Sequence, residues 1–481
     1  MLLKNKYLIL ALLLTACFTS CKKWDDHTEV TNPNLNMDLG QAIAANADLS
    51  KFREYLVKTG LDDMLASSRT YTVWAPTNAA LATLDQAIVN DTAKLRNFLM
   101  NHISVQSYFT RDAQPGTRVG MMNGKYNTFS ATKFDEANIT SADNFYRNGV
   151  LHVIDKSVLV LPNLWDYIRT NTSQYSQNAY IAGLNFESFD PSLAIVDSIS
   201  ALTGQPVYKP GSGIDIRNRF NDRVYDFQRE DKQFTYFVMA DAGFTLESDS
   251  LKNYFKAATP AANDSLARYQ MVKDLAVEGL YLPGALPATL TSKFGVTIPI
   301  NQANIIETRR VSNGIVYVMS NIDVLTASKF KEIRIEGENP SGFERDRTSN
   351  TNYRVRLHPV TGQVFRDIMI SGHGVTAYYA YYRLTEMPSI KYRVYGFGVN
   401  DFQTGAFTQN IVVKSLNLPA TYTTLATLAH PVPLNTAVGA YDEKLLGEFT
   451  VNNFGILEIQ LTSTATNPLV LDYLRLVPVL N

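Results

Sequence analysis

Residues 70–84 read Thr70-Tyr71-Thr72-Val73-Trp74-Ala75-Pro76-Thr77-Asn78-Ala79-Ala80-Leu81-Ala82-Thr83-Leu84. Tyr71 to Trp74 are β-branched or aromatic and favour an extended strand. Pro76 ends it, and the alanine-rich run after it favours a helix that Thr77 or Asn78 can cap through a side-chain oxygen. The stretch therefore reads as strand, capped turn, helix. Upstream, apolar residues from Leu39 to Leu65 recur at helical spacing, interrupted at Gly60. Downstream, Leu95 to Ser104 ends in Asn101-His102-Ile103, and Asn148-Gly149-Val150-Leu151-His152-Val153-Ile154-Asp155-Lys156 is a turn followed by an alternating strand.

In order and spacing these three pieces resemble the fasciclin (FAS1) domain. Its first box falls at Thr72–Leu81, its central Tyr-His region near His102, and its second box at Asn148–Pro162, so the resemblance covers residues 39–162. Trp74 stands where the family usually carries phenylalanine. The resemblance implies a mixed α/β fold and a role in adhesion or extracellular interaction rather than catalysis. His102 and His152 are expected as half-buried rings satisfied by backbone groups, and Trp74 and Trp165 as core or boundary residues.

The same order recurs in weaker form. Phe234-Thr235-Tyr236-Phe237-Val238-Met239-Ala240-Asp241 echoes the first box, and Ser312-Asn313-Gly314-Ile315-Val316-Tyr317-Val318-Met319 echoes the second. Thr235 lies 163 residues after Thr72, and Asn313 lies 165 after Asn148, a nearly constant shift that indicates duplication. Met239 and Asp241 replace the proline and threonine of the first box, and Tyr317 stands in the place of His152. Residues 163–326 are thus expected to be a divergent second FAS1 domain with an insertion around 205–229.

After Thr326 helical periodicity gives way to short β-rich runs between Gly, Pro and Asn turns. Phe330–Glu336, Asn352–Leu357, Thr376–Leu384, Lys391–Val399, Asn410–Leu416, Glu448–Val451, Ile456–Thr462 and Leu469–Val477 are the expected strands. They make residues 327–481 a β-sandwich. The closing run Leu471-Asp472-Tyr473-Leu474-Arg475-Leu476-Val477-Pro478 resembles the last strand of galactose-binding-like jelly rolls, the fold of many carbohydrate-binding modules. The fold class expected for the whole chain is multidomain, α+β followed by all-β.

The chain begins with Lys4 and Lys6, an apolar run Tyr7 to Leu14, and small residues before a cysteine. This is an export signal, too short in its apolar part for a membrane span. Its end resembles a bacterial lipoprotein signal, with Cys21 the preferred lipidation site and Cys17 the alternative. Lys22-Lys23-Trp24-Asp25-Asp26 after Cys21 resembles the start of Bacteroidetes lipoproteins. Residues 1–20 are then the signal peptide, 21–38 a polar tether, and the location a lipid-anchored one at the outer membrane, exposed on the cell surface.

Charge and composition remove several functions. Lys and Arg total 44 against 45 Asp and Glu, so there is no cationic excess for a long nucleic-acid contact. Both cysteines lie in the first 21 residues, which leaves none downstream for a disulfide, a zinc thiolate or a nucleophile. The six histidines lack the helical spacing of a zinc protease, and Ser371-Gly372-His373-Gly374 is not the Gly-x-Ser-x-Gly elbow. No catalytic residue, cofactor or histidine metal site is expected. Calcium loops of oxygen ligands outside the EF-hand pattern leave no recognisable spacing.

The best binding candidates lie in the sandwich. Strand alternation places Tyr379, Tyr381 and Arg383 on one face and Tyr378 and Tyr382 on the other. Sugar rings stack on aromatic planes and their hydroxyls need paired donors and acceptors. The loop Glu336 to Arg347, with Arg345, and the loop Asn400-Asp401-Phe402-Gln403 carry such groups. The expected function is non-catalytic binding of a glycan or polysaccharide at the cell surface, accessory to a TonB-dependent uptake system. The alternative is a protein–protein adhesin or structural subunit docking on an outer-membrane partner.

Overall fold

The computed structural model describes residues 32–114, 116–417 and 421–480. The expected signal peptide, both candidate lipidation sites Cys17 and Cys21, and the first part of the expected tether lie outside the described residues. Two compact units form. One comprises the chain through Leu164 together with Gln228–Gln233 and Arg310–Asn313; the other comprises Trp165–Phe227, Phe234–Arg309 and the chain from Gly314 onward.

In the first unit the strand Tyr71–Pro76 lies at the heart of a five-stranded sheet in the order Ile103–Ser104, Tyr71–Pro76, Gly149–Ile154, Ala137–Tyr146, Lys133–Phe134. Its central pair is parallel and buried along its whole length. Alternation sends Val73 and Ala75 into a core with Phe52, Leu56, Leu95 and Phe98 from the helices Ser50–Thr59 and Thr92–Met100. Trp74 faces the other way, against Val119, Phe129 and Phe134. Each such fully buried side chain contributes about 1.5–3 kcal/mol. The expected interruption at Gly60 is a left-handed cap with φ 65° that ends Ser50–Thr59. Thr77 is the residue that caps Asn78–Leu81, its hydroxyl accepting from the Ala80 N–H. Asn78 instead accepts from Lys51 N and donates to Ala47 O.

The second unit repeats this sheet in the order Ala276–Glu278, Phe234–Met239, Gly314–Met319, Ile305–Val311, again around a parallel pair. The hydrogen bonds repeat with it. Thr72 Oγ1 donates to Gln106 O and accepts from Tyr108 N, while Thr235 Oγ1 donates to Gly279 O and accepts from Tyr281 N. The insertion lies earlier than the sequence suggests. It is a β-ribbon in which Asn185–Phe189 pairs with Ile214–Asn218 and Val196–Ile199 with Pro206–Tyr208. Its outer stretch is exposed on both faces, so no one-sided hydrophobic alternation marks where it begins.

From Ile333 the chain is antiparallel β. A four-stranded sheet runs Ile333–Glu336, Tyr473–Val479, Lys391–Phe397, Lys444–Thr450, and a five-stranded sheet runs Gly342–Phe343, Tyr379–Met387, Gly455–Ser463, Phe407–Asn417, Thr421–Val432. A three-stranded sheet of Thr351–Leu357, Val364–Ile370 and Leu469–Leu471 completes the domain. Three expectations shift. Phe330–Glu336 starts later, at Ile333, because Phe330 closes the helix Thr326–Lys329, its N–H donating to Thr326 O. Leu469–Val477 breaks at Asp472 and serves two sheets. Thr421–Val432, an edge strand largely open to solvent, buries only His430 and Val432 at its end, too short a run to give an alternating pattern.

The helix Thr326–Lys329 also ties the sandwich to its neighbour within the second unit. The Lys329 ammonium is buried, donates to Gln270 O at 2.6 Å and pairs with the fully buried Asp274 carboxylate, which also accepts from Ser292 Oγ at 2.6 Å. Ser389 N donates to Tyr254 O and Phe454 N to Lys256 O, each at 2.7 Å, beside the ring contact of Phe255 with Phe454.

Candidate functional site

Strand Tyr379–Met387 divides its side chains as alternation requires. Tyr378, Ala380 and Tyr382 are buried, and the Tyr382 hydroxyl donates to Gly337 O at 2.7 Å. Tyr379, Tyr381 and Arg383 take the outer face of the five-stranded sheet. Across the sheet Tyr381 lies opposite Gln460, Arg383 opposite Glu458, and Glu458 opposite Lys414. The two tyrosine rings are 6.4 Å apart and tilted by 54°. The Arg383 guanidinium sits 5.1 Å from the Tyr381 ring and the Lys414 ammonium 5.9 Å from the Tyr379 ring.

A hydrogen-bonded row fixes these groups. Arg383 donates to Glu458 at 3.2 Å and to the Tyr422 hydroxyl at 3.1 Å; Tyr422 in turn donates to Glu458 at 3.0 Å, and the Gln460 amide also donates to Glu458, at 2.8 Å. The bond to Glu458 raises the Arg383 guanidinium above its ordinary value, so it stays charged. Burial, reinforced by the Glu458 charge, holds the Tyr379 phenol above its usual value, so it stays neutral. The face thus joins two aromatic planes to a held row of donors and acceptors, which is what a ring with C–H faces and hydroxyl edges needs.

The other candidates fall in two places. Arg345 follows the short strand Gly342–Phe343, which pairs with Ala380 and Tyr381, and it is exposed and hydrogen-bonded to Glu344 at 2.6 Å. Asn400 and Asp401 do not join the tyrosines, because their loop follows Lys391–Phe397 in the four-stranded sheet. Asn400 is fully buried and closes its own loop through Gly405 O and Gln403 N. Asp401 pairs with Arg354 at 2.9 Å and with Arg356, and Arg354 is held in turn by the buried Asp367. Glu458, Gln460, Lys414 and Tyr422 were not singled out from the sequence. Their place beside Tyr381 depends on the sheet order, which no local pattern carries.

The groups that could hold a cation are carboxylates. Glu336, Glu338 and Asp472 each offer an oxygen within 4.8 Å of the others. All-oxygen donors of this kind suit a hard cation such as calcium. Burial pushes the Asp472 carboxyl up to about 7, against the pull of Arg334. One Glu338 oxygen is buried without a hydrogen-bond partner, while Glu336 accepts from Arg334 at 2.6 Å. A scan of histidine and cysteine spacing has no access to such a cluster, because its members come from opposite ends of the domain.

The histidines of the first unit are core groups, more deeply buried than expected. His102 donates from Nδ1 to Phe98 O and accepts at Nε2 from Val158 N; His152 donates from Nε2 to Tyr108 O and accepts at Nδ1 from Asp143 N. Both are fully buried, as is Trp74.

Residues 47–161 match the family model of the fasciclin domain. Protein sll1483 of Synechocystis sp. is 29% identical over 133 residues, 26% of this chain and 73% of that protein. Among solved structures, the FAS1 domain pair of the insect cell adhesion molecule fasciclin I aligns with 59% of this chain and 99% of its own, at 18% identity and a TM-score of 0.23. A family 35 carbohydrate-binding module from Clostridium thermocellum aligns with 31% of this chain and 98% of its own, at 11% identity and a TM-score of 0.20. A β-1,3-glucan-binding CBM6 from Bacillus halodurans aligns with 30% of this chain and 94% of its own, at 10% identity and a TM-score of 0.22.

Proposed function

We propose that this chain, with its fasciclin domain at residues 47–161, is a non-catalytic surface protein that captures glycans on the outer face of its five-stranded sheet. The observation that carries the reading is the pairing of Tyr379 and Tyr381 with the fixed row Arg383, Glu458, Tyr422 and Gln460. The finer parts belong to the same proposal. Acylation at Cys21, or at Cys17, anchors the chain at the outer membrane, and residues 39–162 and 163–326 space the sandwich from it. Confinement to a surface multiplies weak sugar contacts through effective concentration, as an accessory to TonB-dependent polysaccharide uptake requires.

Affinity electrophoresis of the full chain through gels containing plant, fungal or host polysaccharides tests it. Retardation in at least one gel, lost in Tyr379→Ala/Tyr381→Ala at unchanged melting temperature, is the expected result. No retardation in any gel removes the glycan reading. Incorporation of a labelled fatty acid, lost in Cys21→Ala, checks the anchor; loss in Cys17→Ala instead selects the alternative site.

A specific observation favours the protein-docking reading as the second one. Thr351–Leu357 is an edge strand whose Tyr353, Val355 and Leu357 are each more than half exposed, a template for a partner's strand. Capture of an outer-membrane protein by the full chain, weakened by Val355→Lys, would support that reading.

A further inference from the structure

The β-ribbon of residues 185–218 has a base and a tip of different chemistry. Glu187, Asp190, Asp215 and Arg217 lie in the base, whereas residues 198–208 carry no charged side chain at all. Asp197 and Lys209 bracket that neutral stretch. Within and beside it, Val196 is 51% exposed, Ile199 62%, Val207 43% and Leu202, in the turn, 98%. An isolated two-stranded ribbon is marginal in water, and these side chains add an unfavourable apolar surface to it.

The direction of the side chains separates the possible occupants. Ile199 pairs with Pro206, and Ser198 with Val207, so Ile199 and Val207 leave opposite faces of the ribbon, and Leu202 leaves its end. A groove on a protein takes one face of a strand or ribbon. A tip that carries an exposed apolar side chain on each face and at its end fits a surrounding apolar medium better than a one-sided groove. Part of the turn's backbone is satisfied within it, which lowers the cost of leaving water. Ser200 N donates to Gln205 O at 2.9 Å and Gly204 N to Ser200 O at 2.8 Å, while Thr203 N and Gln205 N donate to the hydroxyls of Ser200 and Thr203. At the root of the tip Tyr208 packs its ring 5.1 Å from Phe189, an aromatic pair at the level where tyrosine favours the boundary between lipid and water.

We propose that residues 198–208 dip into a lipid surface, with Leu202 and Ile199 in the acyl region, Tyr208 at the boundary, and Asp197 and Lys209 left in the headgroup water. Interfacial insertion is shallow, roughly 5–10 Å, so only the tip need enter. The proposal stands independently of the glycan-binding face, which lies on other strands.

Hydrogen–deuterium exchange of the full chain with and without vesicles of phosphatidylcholine tests it. The readout is confined to peptides covering 196–208, so attachment through the N-terminus does not enter. Exchange in those peptides slows about tenfold with vesicles, to the same extent in molar salt because the tip is uncharged, and Leu202→Asp abolishes the effect. Leu202 is fully exposed, so the variant keeps its fold. Exchange unchanged by vesicles overturns the proposal. Protection that salt removes overturns it in favour of charged adsorption elsewhere, and protection that grows with protein concentration without lipid overturns it in favour of a second copy of the chain.

Discussion

Trp74 and His152 face each other across two parallel strands and stack with ring centroids 5.6 Å apart, 15° from coplanar. The second sheet places Phe237 and Tyr317 in the same register, stacked at 5.8 Å and 20°. Both residues of the pair differ, yet the outer bond survives: the Tyr317 hydroxyl donates to Tyr281 O at 2.7 Å where His152 Nε2 donates to Tyr108 O at 3.0 Å. The two sheets thus aim a donor at the equivalent carbonyl from different rings. Tyr317→Phe leaves that carbonyl without its partner and costs about 1–2 kcal/mol, read as a fall in the denaturant midpoint at unchanged slope.

Burial holds His102 neutral, its imidazolium pKa lowered from 6.5 to about 4. The unfolded chain therefore binds a proton between these values that the folded one refuses. Stability is complete above about pH 6.5 and declines as the pH falls toward 4. Melting temperature against pH should show that acid slope, and His102→Gln should lessen it without removing it, because burial also lowers His430 to about 4 and lowers His152.

At Gly149 a Cβ would stand 1.9 Å from Tyr71 O, and at Gly314 2.1 Å from Phe234 O. Neither obstacle can move, because each carbonyl lies on the central strand of its sheet. Gly149→Ala and Gly314→Ala should each cost about 3 kcal/mol or more, with circular dichroism melts as the check. Gly455→Ala, where nothing lies within 4 Å, is the control and should stay within about 0.5 kcal/mol.

Breaking the Lys329–Asp274 pair from one side strands a buried charge. Lys329→Met should cost about 3–5 kcal/mol, whereas Lys329→Met with Asp274→Leu should recover much of it. A double-mutant cycle by chemical denaturation measures the difference.

On the sheet face, Arg383→Ala should weaken retardation by a responsive polysaccharide about tenfold and also lower the melting temperature, since the buried Glu458 carboxylate loses its cation and keeps only Tyr422 and Gln460. Tyr422→Phe, which removes one bond from the row, should have the smaller effect.

The parts of the fold that came readily from the sequence are those whose signals are local. The strand and cap at Tyr71–Leu81, the stop at Gly60 and the outward alternation of Tyr379, Tyr381 and Arg383 follow from neighbours within a few residues. Strands were misjudged where the environment is not local. Val364–Ile370 was not recognised because Asp367, paired with Arg354, puts a charge in its buried stretch. The row Arg383, Glu458 and Tyr422 spans three strands, and the carboxylates Glu336, Glu338 and Asp472 meet only when the first and last parts of the sandwich come together. Asn400 and Asp401 looked like ligand groups because loop Asn and Asp residues carry the right atoms; the fold spends those atoms on closing a turn and on neutralising two arginines.

The helix Thr326–Lys329 also bears on how such chains are assembled by descent. A sandwich that ended cleanly at its first strand could be inherited as a detachable cassette and recombined with any neighbour. Here the residue that would mark the seam has its ammonium locked inside the preceding domain, so a transplant that left that domain behind would carry an orphaned cation and a bare apolar patch around Phe330. Phe255 and Phe454 would be parted by the same cut. A cut at that point would therefore cost both halves buried contacts, whereas one that kept the pair together would spare them.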